Sequence, residues 1–128
     1  MSKVDFTGVS TGFDVVPEDE YQAAFTSYKI ENAKSSGQPM VVLEFAVTEG
    51  EYAGRKFWQN HSLQPQALFA LKSTMLALGC DEETLEGPLD LEDELDDLIG
   101  SDVRLEVGQN EYEGKMRNRI EKIKAISI

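Results

Sequence analysis

The sequence predicts a mainly β fold, a small five-stranded OB-like barrel with a helix between strands three and four and a short acidic helix after it. Three observations predict it. Five short segments alternate apolar and polar residues with period two, the mark of half-buried strands. After the third of these, apolar residues recur at three- and four-residue spacing, the mark of a helix. The order strand, strand, strand, helix, acidic helix, strand, strand is that of an OB barrel. A generic α+β sheet with a helix on one face shares the order, but no predicted strand is long enough for a wide sheet. The 128 residues suit one domain. We read residues 1–128 as a single OB-like domain, with 1–17 as an N-terminal arm and 81–102 as an acidic insert.

The elements follow in order. Residues 1–18, with Gly8, Gly12 and Pro17, read as an extended arm or short edge strand. Glu20 to Asn32 alternates, with Ala23 and Phe25 on one face and Gln22 and Thr26 on the other. Lys34-Ser-Ser-Gly-Gln-Pro39 is a turn. Met40 to Glu49 is the strongest strand, with Val41, Leu43, Phe45 and Val47 on one face. Glu49 to Gly54 turns the chain, and Arg55 to Leu63 returns it. Pro65 suits a first helical turn. Leu68, Leu71, Met75 and Leu78 give that helix its apolar stripe, and Gly79 ends it in a left-handed cap. Leu91, Leu95 and Leu98 predict the second helix, ended by Gly100. Val103, Leu105 and Val107 face inward from the fourth strand. Asn110 to Gly114 turns into a final strand, Met116 to Ile126. There Met116 and Ile120 share one parity and Ile123 and Ala125 the other, so a bulge near Glu121 is expected.

Charge is unevenly placed. The chain has 24 Asp and Glu against 12 Lys and Arg, a formal net charge of −12. Between Asp81 and Asp102 lie 11 acids and no base, leaving 13 acids and 12 bases elsewhere. Lys115 to Lys124 holds five bases and one acid. The net charge therefore does not exclude a nucleic-acid partner, whose phosphates would meet one face and not the average. Cys80 is the single cysteine, so no intramolecular disulfide forms. Met1-Ser-Lys-Val-Asp-Phe-Thr-Gly8 has no apolar signal core, and no stretch reaches membrane-span length. A cytoplasmic protein is expected, in the host cytoplasm if phage-encoded.

Little in the chain suggests catalysis, and we expect no enzyme, cofactor or metal. His61 is the only histidine, and no G-x-S-x-G, P-loop or G-x-G-x-x-G occurs. His61 reads as a strand residue, half buried or facing solvent. Cys80 reads as a packed small residue. Asp90 to Asp97 lacks the sixth-position Gly of a calcium loop and keeps leucines at helical spacing, so it reads as the solvated face of an amphipathic helix. A docking surface, a charge mimic or a weak cation site are the alternatives.

The stronger constellation is basic and aromatic. Tyr52, Arg55, Lys56, Phe57 and Trp58 fall within seven residues. Strand alternation puts Arg55, Phe57, Gln59 and His61 on one face and Lys56, Trp58 and Asn60 on the other, so one aromatic must point outward. Tyr112, Lys115, Arg117 and Arg119 follow in the last hairpin, the three bases sharing a face. Glu51-Tyr-Ala-Gly-Arg55 and Glu111-Tyr-Glu-Gly-Lys115 repeat one pattern, either a recurring hairpin turn or two parts of one binding rim. Single-stranded nucleic acid calls for this pairing: cations track phosphates and flat rings stack on bases. Core aromatics and a solvated basic face would also produce it.

Glu20-Tyr-Gln-Ala-Ala-Phe25, Lys34-Ser-Ser-Gly-Gln-Pro-Met40, Leu43-Glu-Phe45 and Glu49-Gly-Glu-Tyr-Ala-Gly-Arg-Lys-Phe-Trp58 resemble a family of small bacteriophage and prophage proteins, many known only as a domain of unknown function. The helix ending at Gly79, the Leu98-Ile-Gly100 step and the Glu-Tyr-Glu-Gly turn extend the similarity over residues 15–126. The resemblance implies an OB-fold single-stranded-DNA-binding protein of phage replication and recombination. It implies phosphate contacts from Arg55, Lys56, Lys115, Arg117 and Arg119, and base stacking on Tyr52, Trp58 and Tyr112. Unlike many such binders, this chain ends Lys122-Ile-Lys-Ala-Ile-Ser-Ile128 without an acidic tail. Asp81–Asp97 is then the candidate docking segment for a replication or recombination protein. A homo-oligomer is also open. The alternative function is an acidic protein-interaction module or nucleic-acid-mimicking inhibitor; a Mg²⁺ nuclease built on the acidic cluster ranks last.

Overall fold

The computed structural model describes residues 15–126. Five strands, β1 (Asp19–Asn32), β2 (Pro39–Val47), β3 (Lys56–Ser62), β4 (Asp102–Tyr112) and β5 (Lys115–Ala125), form one antiparallel sheet in the order β3-β2-β1-β4-β5. Between β3 and β4 come helix α1 (Leu68–Ala77) and helix α2 (Leu91–Leu98), with short 3-10 turns at Pro65–Ala67 and Thr84–Glu86. The mainly β class and the element order agree with the sequence. The closed barrel does not: no hydrogen-bonded ladder joins β3 to β5 among the described residues. The two edge strands approach each other, and α1 packs against both. A helix wedged along that seam takes the place of the missing strand pairing.

The sheet curls because its central strand changes partners. Asp19–Ala24 of β1 pairs with β4, whereas Ala23–Asn32 pairs with β2, so only Ala23 and Ala24 are flanked on both sides. Just beyond that overlap the register slips: Phe25 faces Phe45 but Ser27 faces Glu44, leaving Thr26 as an extra residue. A bulge bends and twists its strand. Thr26 Oγ1 uses its displaced position to donate to Glu44 Oε2 at 2.7 Å. The second bulge lies where the parity change in the sequence puts it. Glu106 faces Lys122 and Val107 faces Ile120, so Glu121 is unpaired. Gly108 stands beside it, and a Cβ there would meet Glu121 Oε1 at 2.6 Å. The glycine makes room for the bulged side chain.

The inner face of the sheet is the core. Ala23, Phe25, Val41, Leu43, Phe45, Val103 and Leu105 are fully buried, joined by Leu71 and Met75 of α1, by Leu78 that caps it, and by Leu95 and Leu98 of α2. Each such side chain contributes about 1.5–3 kcal/mol by leaving water. Leu68, expected in the helix stripe, is exposed instead. It sits in the first turn of α1, past the reach of the sheet. At the other end, Cys80 N–H donates to Met75 O and Gly79 N–H to Leu76 O, each at 3.0 Å, with Gly79 at φ +102°. That is the left-handed cap the glycine predicts. Asp90 caps α2, its carboxylate accepting from Asp93 N–H.

Most of the predicted arm, residues 1–14, lies outside the described residues. Val16 is buried against the β4–β5 hairpin: its N–H donates to Asn118 Oδ1 at 2.7 Å, and its carbonyl accepts from Gln109 and Asn118. Two side-chain amides thus do the work of a missing strand.

Candidate nucleic-acid interface

Strand alternation sorts the predicted residues between the two faces of β3. Phe57 points into the core and is only 6% exposed, whereas Trp58 is 54% exposed on the outer face. Of the two adjacent aromatics, Trp58 is the outward one. Its strand neighbour on β2 is Glu44, and Asn60 stands opposite Val42. Between them a shallow depression of about 400 Å³ crosses the outer face, lined by Lys29, Met40, Val42, Glu44, Trp58 and Asn60 among others. A half-exposed indole beside a depression of mixed polar and apolar lining is a surface on which a flat base can stack.

His61 belongs to the other side. It is buried, not half buried or solvent-facing, and shares a 3.1 Å hydrogen bond with Thr74 Oγ1 of α1. Inward alternation from Phe57 and Gln59 brings it under the helix. Burial pushes its pKa below the ordinary histidine value, so the ring is neutral at pH 7 and serves as a polar pin between strand and helix.

The two echoing turns are different in build. Glu113 and Gly114 have φ of +52° and +80°, a two-residue turn closed by the pair Tyr112 and Lys115. Two successive positive φ values mark the type I′ hairpin, which suits the twist of the flanking strands. The β2–β3 connection is longer, and Tyr52 there is half buried with its ring edge-on to Tyr21 at 5.9 Å. Tyr52 is held as part of the core margin, and Arg55 is half buried beside it. Both turns nevertheless lie at one end of the sheet, because β2 and β4 both run antiparallel to β1.

The Glu121 bulge has an effect that simple parity hides. Lys115, Arg117 and Arg119 occupy alternate positions before it, and Lys122 and Lys124 after it. The slip of one residue puts Arg117, Arg119, Lys122 and Lys124 on the outward register, opposite Ile120, Ile123 and the other inward residues. Arg117, Arg119 and Lys122 are exposed. Trp58 and this basic strand therefore share the outer side of the sheet but occupy its opposite edges, with β2, β1 and β4 between them.

Carboxylates answer these cations. Lys56 Nζ lies 3.6 Å from Glu44 Oε1, and Lys29 Nζ lies 3.3 Å from Glu31 Oε2. Glu20 pairs with both Lys124 and Arg104, Glu106 with Lys124 at 3.4 Å, and Arg119 with Glu121 at 3.6 Å. The Lys124 hydrogen bond holds the Glu20 carboxyl below its ordinary pKa, and the Thr26 hydroxyl does so for Glu44. Exposed pairs of this kind are worth about 0–1 kcal/mol each, so a phosphate can displace the carboxylate at small cost. Lys29–Glu31 and Arg119–Glu121 are neighbours within one strand, whereas the pairs of Lys56, Arg104 and Lys124 join different strands and were not legible in the sequence.

The acidic helix lies elsewhere. Tyr28 Oη donates to Asp96 Oδ1 at 2.7 Å, which ties α2 to the far half of β1 and raises the Tyr28 pKa to about 12. Tyr28 is nine residues along β1 from Asp19, the partner of Val107 beside Gly108 and Arg119. The Lys124 end of the basic strand is closer to it, since Lys124 faces Arg104 and Arg104 faces Gln22, six residues from Tyr28. Among the described residues no cluster of three His, Cys, Asp or Glu side chains is placed to hold a metal ion. Nor is any described helix long and apolar enough to cross a membrane.

The fold is thus that of a small, mainly β protein, one antiparallel sheet with an outward tryptophan and a basic edge strand. The chain belongs to the family described as "Protein of unknown function (DUF669)", whose model matches residues 2–127. A comparison with curated proteins finds no match.

Proposed function

We propose that this protein binds single-stranded DNA, as a non-enzymatic, phage-type protein of replication or recombination acting in the host cytoplasm. The observation that carries the reading is Trp58, more than half exposed on the β2–β3 face, next to Lys56 and over an open depression. The β2–β3 face is the surface on which OB-type sheets take oligonucleotides. Arg117, Arg119, Lys122 and Lys124 supply a phosphate track at the other edge. Lys115 and Tyr112 stand at the hairpin that ends it. Trp58 is the stacking residue of first rank, while Tyr52, packed on Tyr21, is a supporting one. Sequence preference is weak, because stacking accepts every base.

The test is a titration of Trp58 fluorescence with oligo-dT at about 50 and 200 mM salt. Quenching that saturates at the lower salt and weakens steeply at the higher supports the reading. No quenching and no binding at low salt overturns it.

A further inference from the structure

A second surface, on the helical side, has the form of a protein-docking groove. Phe69 of α1 is 76% exposed, the most exposed large apolar residue described, and Leu68 beside it is 42% exposed. Both line a depression of about 490 Å³ between α1 and the segment leading into α2, together with Lys72, Leu85, Leu89 and Leu91. Exposed apolar surface rimmed by polar groups marks an interaction site. No acid lines the depression itself, but the exposed charged residues interleaved with its 85–91 lining in sequence are acidic. Glu86 and Asp90 are exposed and alternate with the lining residues Leu85, Leu89 and Leu91, and Glu82, Glu83, Glu92 and Asp93 are exposed nearby. Lys72 is the single base in the lining.

We propose that this groove receives a short basic amphipathic helix from a partner protein. Charge complementarity sets the basic residues, which would face Glu86 and Asp90 while apolar anchors enter beside Phe69. The groove's construction sets the helix. Its walls are side chains of α1 and of the 84–91 segment, not a free strand edge, so an extended peptide would bury backbone groups without partners. A helix satisfies its own backbone and offers anchors at i, i+3, i+4 and i+7. The acidic insert then recruits through a formed groove, not as a disordered tail. This inference does not depend on the DNA-binding reading.

The experiment uses the full chain and two designed helical peptides with leucines at i, i+3, i+4 and i+7. One is flanked by lysines and the other by glutamates. Binding is followed by NMR shift perturbation and fluorescence anisotropy. The lysine peptide is expected to bind and to shift Phe69, Leu85 and Leu91, and the glutamate peptide to bind at least about tenfold more weakly. Phe69→Ser should weaken the lysine peptide about tenfold or more, with oligo-dT binding unchanged. The pair Glu86→Gln and Asp90→Asn, which keeps a capping side chain at position 90, should narrow the difference between the peptides. Equal binding of the two peptides overturns the proposal, as does no binding up to about 1 mM. So does self-association of the protein that Phe69→Ser dissolves, since the occupant would then be a second copy.

Discussion

The two faces of one short strand, β3, carry opposite kinds of chemistry. Phe57 and His61 point inward, where the phenyl ring packs beside Tyr21 and the imidazole pins α1 through Thr74. Lys56 and Trp58 point outward, where the ammonium answers Glu44 and the indole faces solvent. The same division holds for the whole sheet. Its inner face is largely apolar and closed by two helices; its outer face carries paired charges and the exposed Trp58 ring. The contrast teaches that strand parity divides the adjacent aromatics of β3, Phe57 making the fold and Trp58 standing free on the surface.

The comparison breaks most visibly in the core. Phe45→Ala removes a fully buried ring and should cost about 3–5 kcal/mol in urea unfolding. Trp58→Ala, on the opposite face, should move stability by about 0.5 kcal/mol or less. Comparable losses at the two positions would erase the division.

Next in size is the single buried polar pair. Thr74→Val leaves the His61 ring without its partner and should cost about 1–3 kcal/mol. The same ring makes stability depend on pH. Its pKa is lowered in the folded state, so the unfolded chain takes up a proton first as pH falls. Stability is therefore full above about pH 6.5, the unfolded value, and declines below it until the folded ring also protonates. A His61→Gln variant should lose that dependence between pH 7 and 5 in thermal unfolding.

A smaller effect sharpens the outer face. Glu20→Gln and Glu106→Gln together free Lys124 from its carboxylates. Each pair is worth about 0–1 kcal/mol, so oligo-dT affinity should rise a few-fold at low salt, read by anisotropy. A fall in affinity would mean that the carboxylates position the lysine and do not compete for it.

Much of this was legible because it is periodic. The outward Trp58 and inward Phe57 follow from alternation once one core residue of β3 is fixed. The Glu121 bulge is visible as a parity change between Ile120 and Ile123, and Gly108 opposite it is a second sign. The Gly79 cap and the Leu91-Leu95-Leu98 stripe are equally local. What escaped was set by tertiary contacts. The Thr26 bulge has its own parity change, from Ala23 and Phe25 to Tyr28 and Ile30, but Thr26 and Ser27 between them are both small and polar and do not mark where the register slips. His61 read as half buried or facing solvent because nothing in β3 announces Thr74 thirteen residues later. The sheet stays open because α1 packs against both edges, which strand count alone does not reveal. The exposed Leu68 has the spacing of a core residue and differs only in lying beyond the sheet. The edge-on contact of Tyr52 with Tyr21 likewise joins residues far apart in the chain.

The central claim is that the outer face, through Trp58, holds single-stranded DNA. Its most direct test is the affinity of Trp58→Ala for fluorescent oligo-dT at low salt, beside the unchanged protein. Loss of one base-stacking platform predicts a cost of about 1–3 kcal/mol, with the thermal midpoint little changed. Equal affinity of the two proteins would contradict the account.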